Sequence, residues 1–334
     1  MDFAARRRFY AAVEKERNSK VIAFITSDRA GAETQIAHDC VSMFVDILDE
    51  IGPTAKISLV LHTNGGQTAT AWQLVNLIKS FCEQFEVLIP FKAMSAGTLI
   101  SLGANEIVMS KQAVLGPIDP SLTHALGPLI PTGNQMARVP VSVEAVRGYL
   151  DAAEELKITD AHTLGSILMD LSNKVHPLVL GEIFRSREQI RFLADKLLRH
   201  SVQDSEKVKA IIDFLCADSG SHDYTINRRE AQGLGLPVVK PSTEFYGILK
   251  KLHKSYTEEM KLLQPYNPNV ELGLAAQANY RLVRGLIESP TGKSSYGFLS
   301  EGTLVRSQVP NPAEPSGVSV VVADQRSFEG WRKI

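Results

Sequence analysis

Tryptophan and cysteine are scarce in this 334-residue chain, with two of the first and three of the second. Cys40, Cys82 and Cys216 lie far apart, so neither a metal-ligand spacing nor a redox pair is present. They read as small buried hydrophobes in a reduced, cytoplasmic setting. An excess of charge of either sign is also missing: 36 Lys and Arg stand against 37 Asp and Glu, a formal net charge of -1. The two signs are mixed along the chain, so no nucleic-acid partner is expected. No apolar run approaches a membrane span, and the first residues lack the apolar stretch of a signal peptide. Internal repeats and low-complexity tracts are absent. What remains is an ordinary globular composition, long enough for one large α/β domain or a domain with a smaller appendage.

Periodicity gives the organisation. Residues 1–20, rich in Arg, Lys, Glu and Ala, predict an exposed helical segment. A strand follows at 21–26, then a helix around 33–50 with Ile36, Cys40, Met43, Phe44 and Ile47 on one face. Strand 57–61 runs into Gly65-Gly66, and a helix begins near Thr70 with Ala71, Leu74, Val75 and Ile78 at helical spacing. Strand 86–90, a helix after Ser95, strand 106–109 and a turn at 116–120 come next. Strands alternating with helices predict a mostly parallel sheet with crossovers. Residues 121–140, rich in Gly, Pro and Thr, read as a surface loop or lid. Two or three helices are expected between 143 and 216, with Pro177 in the first turn of the one running to about 199. A short helix over 228–234 ends at Gly235, and another helix runs to about 264. Beyond it only 318–322 reads as a strand. The expected division is a segment 1–20, a main domain 21–240 and an extension 241–334 of helix plus irregular or β tail.

The chemistry concentrates in two turns. In Lys92-Ala93-Met94-Ser95-Ala96-Gly97, one serine sits between an apolar strand and a helix of small residues. That places a hydroxyl at a helix start, where free backbone N–H groups suit a developing oxyanion. About thirty residues upstream, Leu61-His62-Thr63-Asn64-Gly65-Gly66-Gln67 carries a strand into a glycine turn. Two glycines let the backbone approach a substrate closely. Ser in a small-residue helix is usually packing and Gly-Gly is usually a turn. The pair, in this order and strand context, reads as a serine nucleophile facing an oxyanion loop.

These blocks, with His222-Asp223-Tyr224-Thr225-Ile226-Asn227 and the helix ending in Gly233-Leu234-Gly235-Leu236, resemble the serine dehydrogenase proteinase family. That family belongs with the Clp-peptidase/crotonase-fold serine peptidases and is related to signal-peptide peptidase A. The resemblance covers roughly residues 20 to 240. It implies a ClpP/crotonase-like α/β fold of stacked ββα units with helical extensions. It implies hydrolysis of peptide bonds through an acyl-enzyme on Ser95, with Gly65 or Gly66 and Ala96 holding the oxyanion. An extended peptide or protein substrate laid along the Gly-Gly strand edge, no cofactor, no metal and a homo-oligomer (trimer-based or ring) complete the expectation. No ATPase motif is present, so unfolding of protein substrates would need a separate partner. The rival readings are an acyl-CoA enzyme of the same fold and an inactive scaffold.

The base stays open. The Clp subunit takes a His one strand and turn after its serine, but Leu115-Gly116-Pro117-Ile118-Asp119 holds none, and His124 lies in the Pro/Gly-rich stretch. The Ser/Lys relatives use a helical Lys, which Lys174 resembles in place. A Ser, Asp, His order would be Ser95, Asp119 and His176, or would bring in His222. A Lys works as a base only where desolvation or a neighbouring cation lowers its pKa, and Leu171, Val175 and Leu178 permit that. A His needs no such shift but works better with a carboxylate, for which Asp119 is the candidate.

Overall fold

The computed structural model describes residues 2–118, 121–122, 124–132, 135–218, 223–310 and 318–334. They divide into two compact units, 1–115 with 227–334, and 116–226. The first unit begins with α1 (Phe3–Arg17), β1 (Lys20–Thr26), α2 (Val41–Ile51), β2 (Thr54–His62) and α3 (Thr68–Lys79). It continues through β3 (Cys82–Ile89), β4 (Lys92–Ala93), α4 (Ala96–Leu102), β5 (Glu106–Met109) and β6 (Val114–Leu115). The second holds β7 (Ser121–Leu122), β8 (Leu129–Thr132), β9 (Gln135–Arg138) and β10 (Val141–Ser142). Its helices are α5 (Val143–Glu155), α6 (Ala161–Lys174), α7 (Pro177–Leu198) and α8 (Ser205–Asp213). The chain then runs through β11 (Ile226–Asn227), α9 (Arg228–Leu234), β12 (Val238–Val239) and α10 (Thr243–Glu259). It closes with α11 (Pro268–Leu272), β13 (Gln277–Ser289), β14 (Ser294–Pro310) and β15 (Val318–Lys333).

The main sheet of the first unit has the order β12-β5-β3-β2-β1-β13-β14-β15. From β12 to β1 the strands are parallel; β13, β14 and β15 join antiparallel. In β1, Val21-Ile22-Ala23-Phe24-Ile25 is wholly buried, as a parallel strand covered on both faces must be. Val21, Ala23 and Ile25 point to the face covered by α1 and α10, where Tyr10, Val13, Phe245, Leu249 and Leu252 complete the core. Phe24 points the other way, edge-on to Phe44 of α2 with ring centroids 5.2 Å apart. Full burial of such side chains is worth about 1.5–3 kcal/mol each. The parallel half with its crossover helices matches the sequence pattern; the antiparallel half was expected only at 318–322.

The helix α1 departs from its expected exposure. Arg6, Tyr10 and Val13 form a buried stripe at i, i+4 and i+7. The Arg6 guanidinium is wholly buried and pairs with Glu288 of β13 and Glu259 of α10. Tyr10 donates to Glu288 at 2.5 Å and shares a 2.7 Å hydrogen bond with Tyr256. A polar-looking helix is therefore clamped by a carboxylate some 280 residues away, which no local pattern reports.

In the second unit, Val141, Val143, Val146, Val175, Val179 and Ile183 form a small core. Asp160 caps α6 by accepting from Thr163 N–H, and Pro177 sits at the start of α7 as expected. Within the stretch read as loop, β8 and β9 pair as an antiparallel hairpin.

Candidate active site

Strand β2 ends in a turn that the backbone fixes on one side. Gly65 and Gly66 have φ of 118° and 147°, in the region that favours glycine. Ile36 N–H donates to Gly65 O and Gln67 N–H donates to Ile36 O, both at 2.8 Å. A Cβ on Gly66 would run into the Ile36 backbone. Gly65 N–H donates to Thr63 Oγ1 at 2.9 Å. Gly66 N–H has no acceptor among the described residues.

Facing this turn is the elbow between β4 and α4. Met94 N–H donates to Thr63 O at 3.0 Å and Gly97 N–H to Met94 O at 2.8 Å. Between them Ser95 adopts φ 50°, ψ -113°, a conformation that costs about 1–3 kcal/mol in a non-glycine residue. A Cβ on Gly65 would lie 2.7 Å from Ser95 Cβ and 3.2 Å from Ala96 N. The turn and the elbow can approach this closely only because residue 65 has no side chain. Every residue of α4 is buried. Thr98 and Ser101 spend their hydroxyls on the carbonyls of Ala93 and Gly97, at 2.9 and 2.8 Å. Ser95 Oγ has no partner among the described residues, and neither has Ala96 N–H. The structure thus brings together Ser95, Gly65, Gly66 and Ala96, with one unspent hydroxyl and two unspent backbone donors.

Beside them lies a charged cluster that the sequence reading did not single out, although His62 stands within the Gly-Gly motif. Lys92 Nζ is 2.5 Å from Asp28 Oδ2, and His62 Nε2 is 3.6 Å from Oδ1. His62 is 1% exposed and neither of its ring nitrogens makes a hydrogen bond. Its ring centroid is 5.4 Å from that of His253, which stacks on Phe91 at 4.8 Å. Burial opposes the Asp28 charge, but His62 and Lys92 more than offset it and hold the carboxyl well below the usual range. Burial, with His62 beside it, pushes His253 down to about 4. Among the described residues no group of three or more His, Cys, Asp or Glu could hold a metal ion.

The base candidates belong to the second unit. Lys174 is exposed in the last turn of α6, and Leu178, expected to shield it, is 66% exposed. His176 is exposed and caps α7, its Nδ1 accepting from Leu178 N–H at 3.2 Å. His124 uses Nδ1 to accept from Leu126 N–H, and its Nε2 lies 3.5 Å from Glu182. Asp119 and His222 lie outside the described residues.

A free serine hydroxyl on a strained elbow, set against glycines that cannot carry a side chain, is the layout of a serine hydrolase. Residues 1–265 match the ClpP-like SDH-type serine proteinases, and the chain belongs to that family. It is 30% identical to two uncharacterized proteins of Methanocaldococcus jannaschii, MJ0137 and MJ1495. The matched stretches cover 65% of this chain and 66% of the first relative, and 70% of this chain and 71% of the second. Among solved structures, the 1510-N membrane-bound stomatin-specific protease aligns at 14% identity and TM-score 0.38, over 72% of this chain and 86% of that one. A likeness of that size carries no conclusion for this chain. Among the described residues no helix is long and apolar enough to cross a membrane.

Proposed function

We propose that this chain hydrolyses peptide bonds through an acyl-enzyme on Ser95. The hydroxyl attacks the scissile carbonyl, and the oxyanion is held by the N–H groups of Gly66 and Ala96. Gly65 N–H is engaged by Thr63, so its role is to let the elbow approach. Lys174 or His176 takes the serine proton, with Asp119 as the orienting carboxylate in the second case. The substrate is an extended peptide added along the Gly66 strand. The enzyme works in the cytoplasm as a homo-oligomer, trimer-based or ring-shaped.

One observation carries this reading. Of the hydroxyls at 95, 98 and 101, only that of Ser95 is left free, and it sits on the residue with the strained backbone, against Gly65. Strain at a free hydroxyl is a hallmark of function rather than packing. The test is hydrolysis of a fluorogenic peptide library by the wild type and Ser95→Ala. The variant should lose turnover while its stability stays within about 1–2 kcal/mol of wild type. Undiminished turnover would remove Ser95 from the chemistry.

A further inference from the structure

An oxyanion donor must be aimed as well as free, and the aim of Gly66 N–H is set by atoms that the reaction does not touch. The N–H of Gly66 shares a planar peptide unit with the C=O of Gly65. No cis peptide bond occurs among the described residues, so the two groups point in opposite directions. Whatever holds Gly65 O therefore aims Gly66 N–H. Two donors hold it: Ile36 N–H at 2.8 Å and the Thr63 hydroxyl at 3.3 Å.

The Thr63 hydroxyl is saturated. Its oxygen accepts from Gly65 N–H at 2.9 Å and from the Thr26 hydroxyl at 2.8 Å, which fills both lone pairs, and its proton faces Gly65 O. Thr26 and Thr63 are both 0% exposed, so these bonds do not compete with water. The rest of the residue reaches the other half of the site. Its N–H donates to Lys92 O at 3.2 Å, and its carbonyl accepts from Met94 N–H next to Ser95. Its Cγ2 methyl occupies the place that a side chain on Gly97 would need. Thr63 thus touches the glycine turn through its oxygen, and the first turn of α4 through its methyl.

From these contacts the geometry points to Thr63, braced by Thr26, as the positioning residue of the oxyanion hole. Its hydroxyl bonds both ends of the Gly65 residue, alongside Ile36 N–H at Gly65 O, and its backbone and methyl hold the elbow, so this one residue ties Ser95 to the peptide that carries Gly66 N–H. This role rests on the peptidase reading above. Thr63 takes no part in bond making; it acts on the rate through Gly66.

Three variants test it against Ser95→Ala. Thr63→Val keeps the shape and the methyl but removes the oxygen. It should lower kcat about 10- to 100-fold, part of the hundred- to thousand-fold that a lost oxyanion donor costs. KM should stay within about three-fold, and a peptide aldehyde, whose adduct places an oxyanion in the hole, should bind more weakly by the same factor as kcat falls. Thr63→Ser, which keeps the oxygen, should recover most of the rate. Thr26→Val leaves the Gly65 contacts in place and should give a smaller loss in kcat alone; it also carries the test if Thr63→Val fails to fold. A Thr63→Val enzyme with wild-type kcat would overturn the assignment. So would equal losses in Thr63→Val and Thr63→Ser, since the oxygen would then be irrelevant. With Thr63→Val unfolded, a wild-type kcat in Thr26→Val would overturn it as well. If instead Ser95→Ala turns over like wild type, the peptidase reading itself fails, whatever Thr63 does.

Discussion

Ser95 and Lys174 stand in regions built on different terms. Around Ser95, all seven residues of α4 are buried and a Cβ on Gly65, Gly66 or Gly97 would collide with neighbouring atoms. Around Lys174, the 14-residue helix α6 has no buried residue, and Leu168 and Met169 are 53% and 70% exposed. The first region is fixed by its own short-range geometry. The second is a helix whose apolar residues find little cover within their own unit. A nucleophile and its oxyanion donors tolerate errors of a fraction of an ångström, which requires the first kind of construction. A proton acceptor supplied from a long side chain can sit on the second kind.

The sharpest way to break this contrast is to exchange the base candidates. Because Lys174 and His176 are exposed, Lys174→Ala should leave stability within about 0.5 kcal/mol, and His176→Ala should cost about 1 kcal/mol through the lost helix cap. Turnover of one of the two should nevertheless fall about 10²- to 10⁴-fold, the worth of a general base. Thermal melts and peptidase assays on the same samples separate the two effects. If both variants turn over normally, the base is neither residue.

Gly65→Ala probes the first region with a smaller effect. The added methyl meets Ser95 Cβ at 2.7 Å and Ala96 N at 3.2 Å, on a backbone at φ 118°. Separating the elbow from the turn should lower kcat about 100- to 1,000-fold, as loss of an oxyanion donor does. An alanine variant with normal kcat would show that the two turns need not touch.

Smaller still is a pH effect on stability. His253 binds its proton less tightly in the fold, at about 4 against 6.5 for the free side chain, mainly because it is buried. Its contribution is therefore complete above pH 6.5 and is lost as pH falls towards 4. His62 lies against it, the charges of Asp28 and Lys92 also act on it, and the depressed Asp28 carboxyl gives way only at lower pH. Tm should fall between pH 6.5 and 4, and His253→Gln should flatten that slope. An unchanged slope in the variant would assign the pH dependence elsewhere.

The same contrast decides what the sequence could disclose. The strand, glycine turn and small-residue helix that carry Ser95 and Gly65-Gly66 are legible because they are local patterns. Thr63 stands out in no local pattern, because its contacts depend on Thr26 and on the fold of the Gly65 peptide. Residues 1–20 look solvent-facing in sequence because the partner of Arg6, Glu288, is on β13. That strand hides in turn behind Arg284, which falls in register with Tyr280 and Leu282, breaks the alternation and pairs with Glu329 on β15. The family match stops at residue 265, yet β13 lies beyond it and pairs with β1 in the main sheet. The base was not legible because nothing local fixes a side chain on an uncovered helix.

The central claim is that Ser95 is the nucleophile, held ready by the glycine turn. Treatment with a fluorophosphonate probe, followed by peptide mapping, tests it most directly. The account predicts one adduct, on Ser95, in the wild type and none in Ser95→Ala. An adduct on a different serine, or undiminished labelling of the alanine variant, would contradict it.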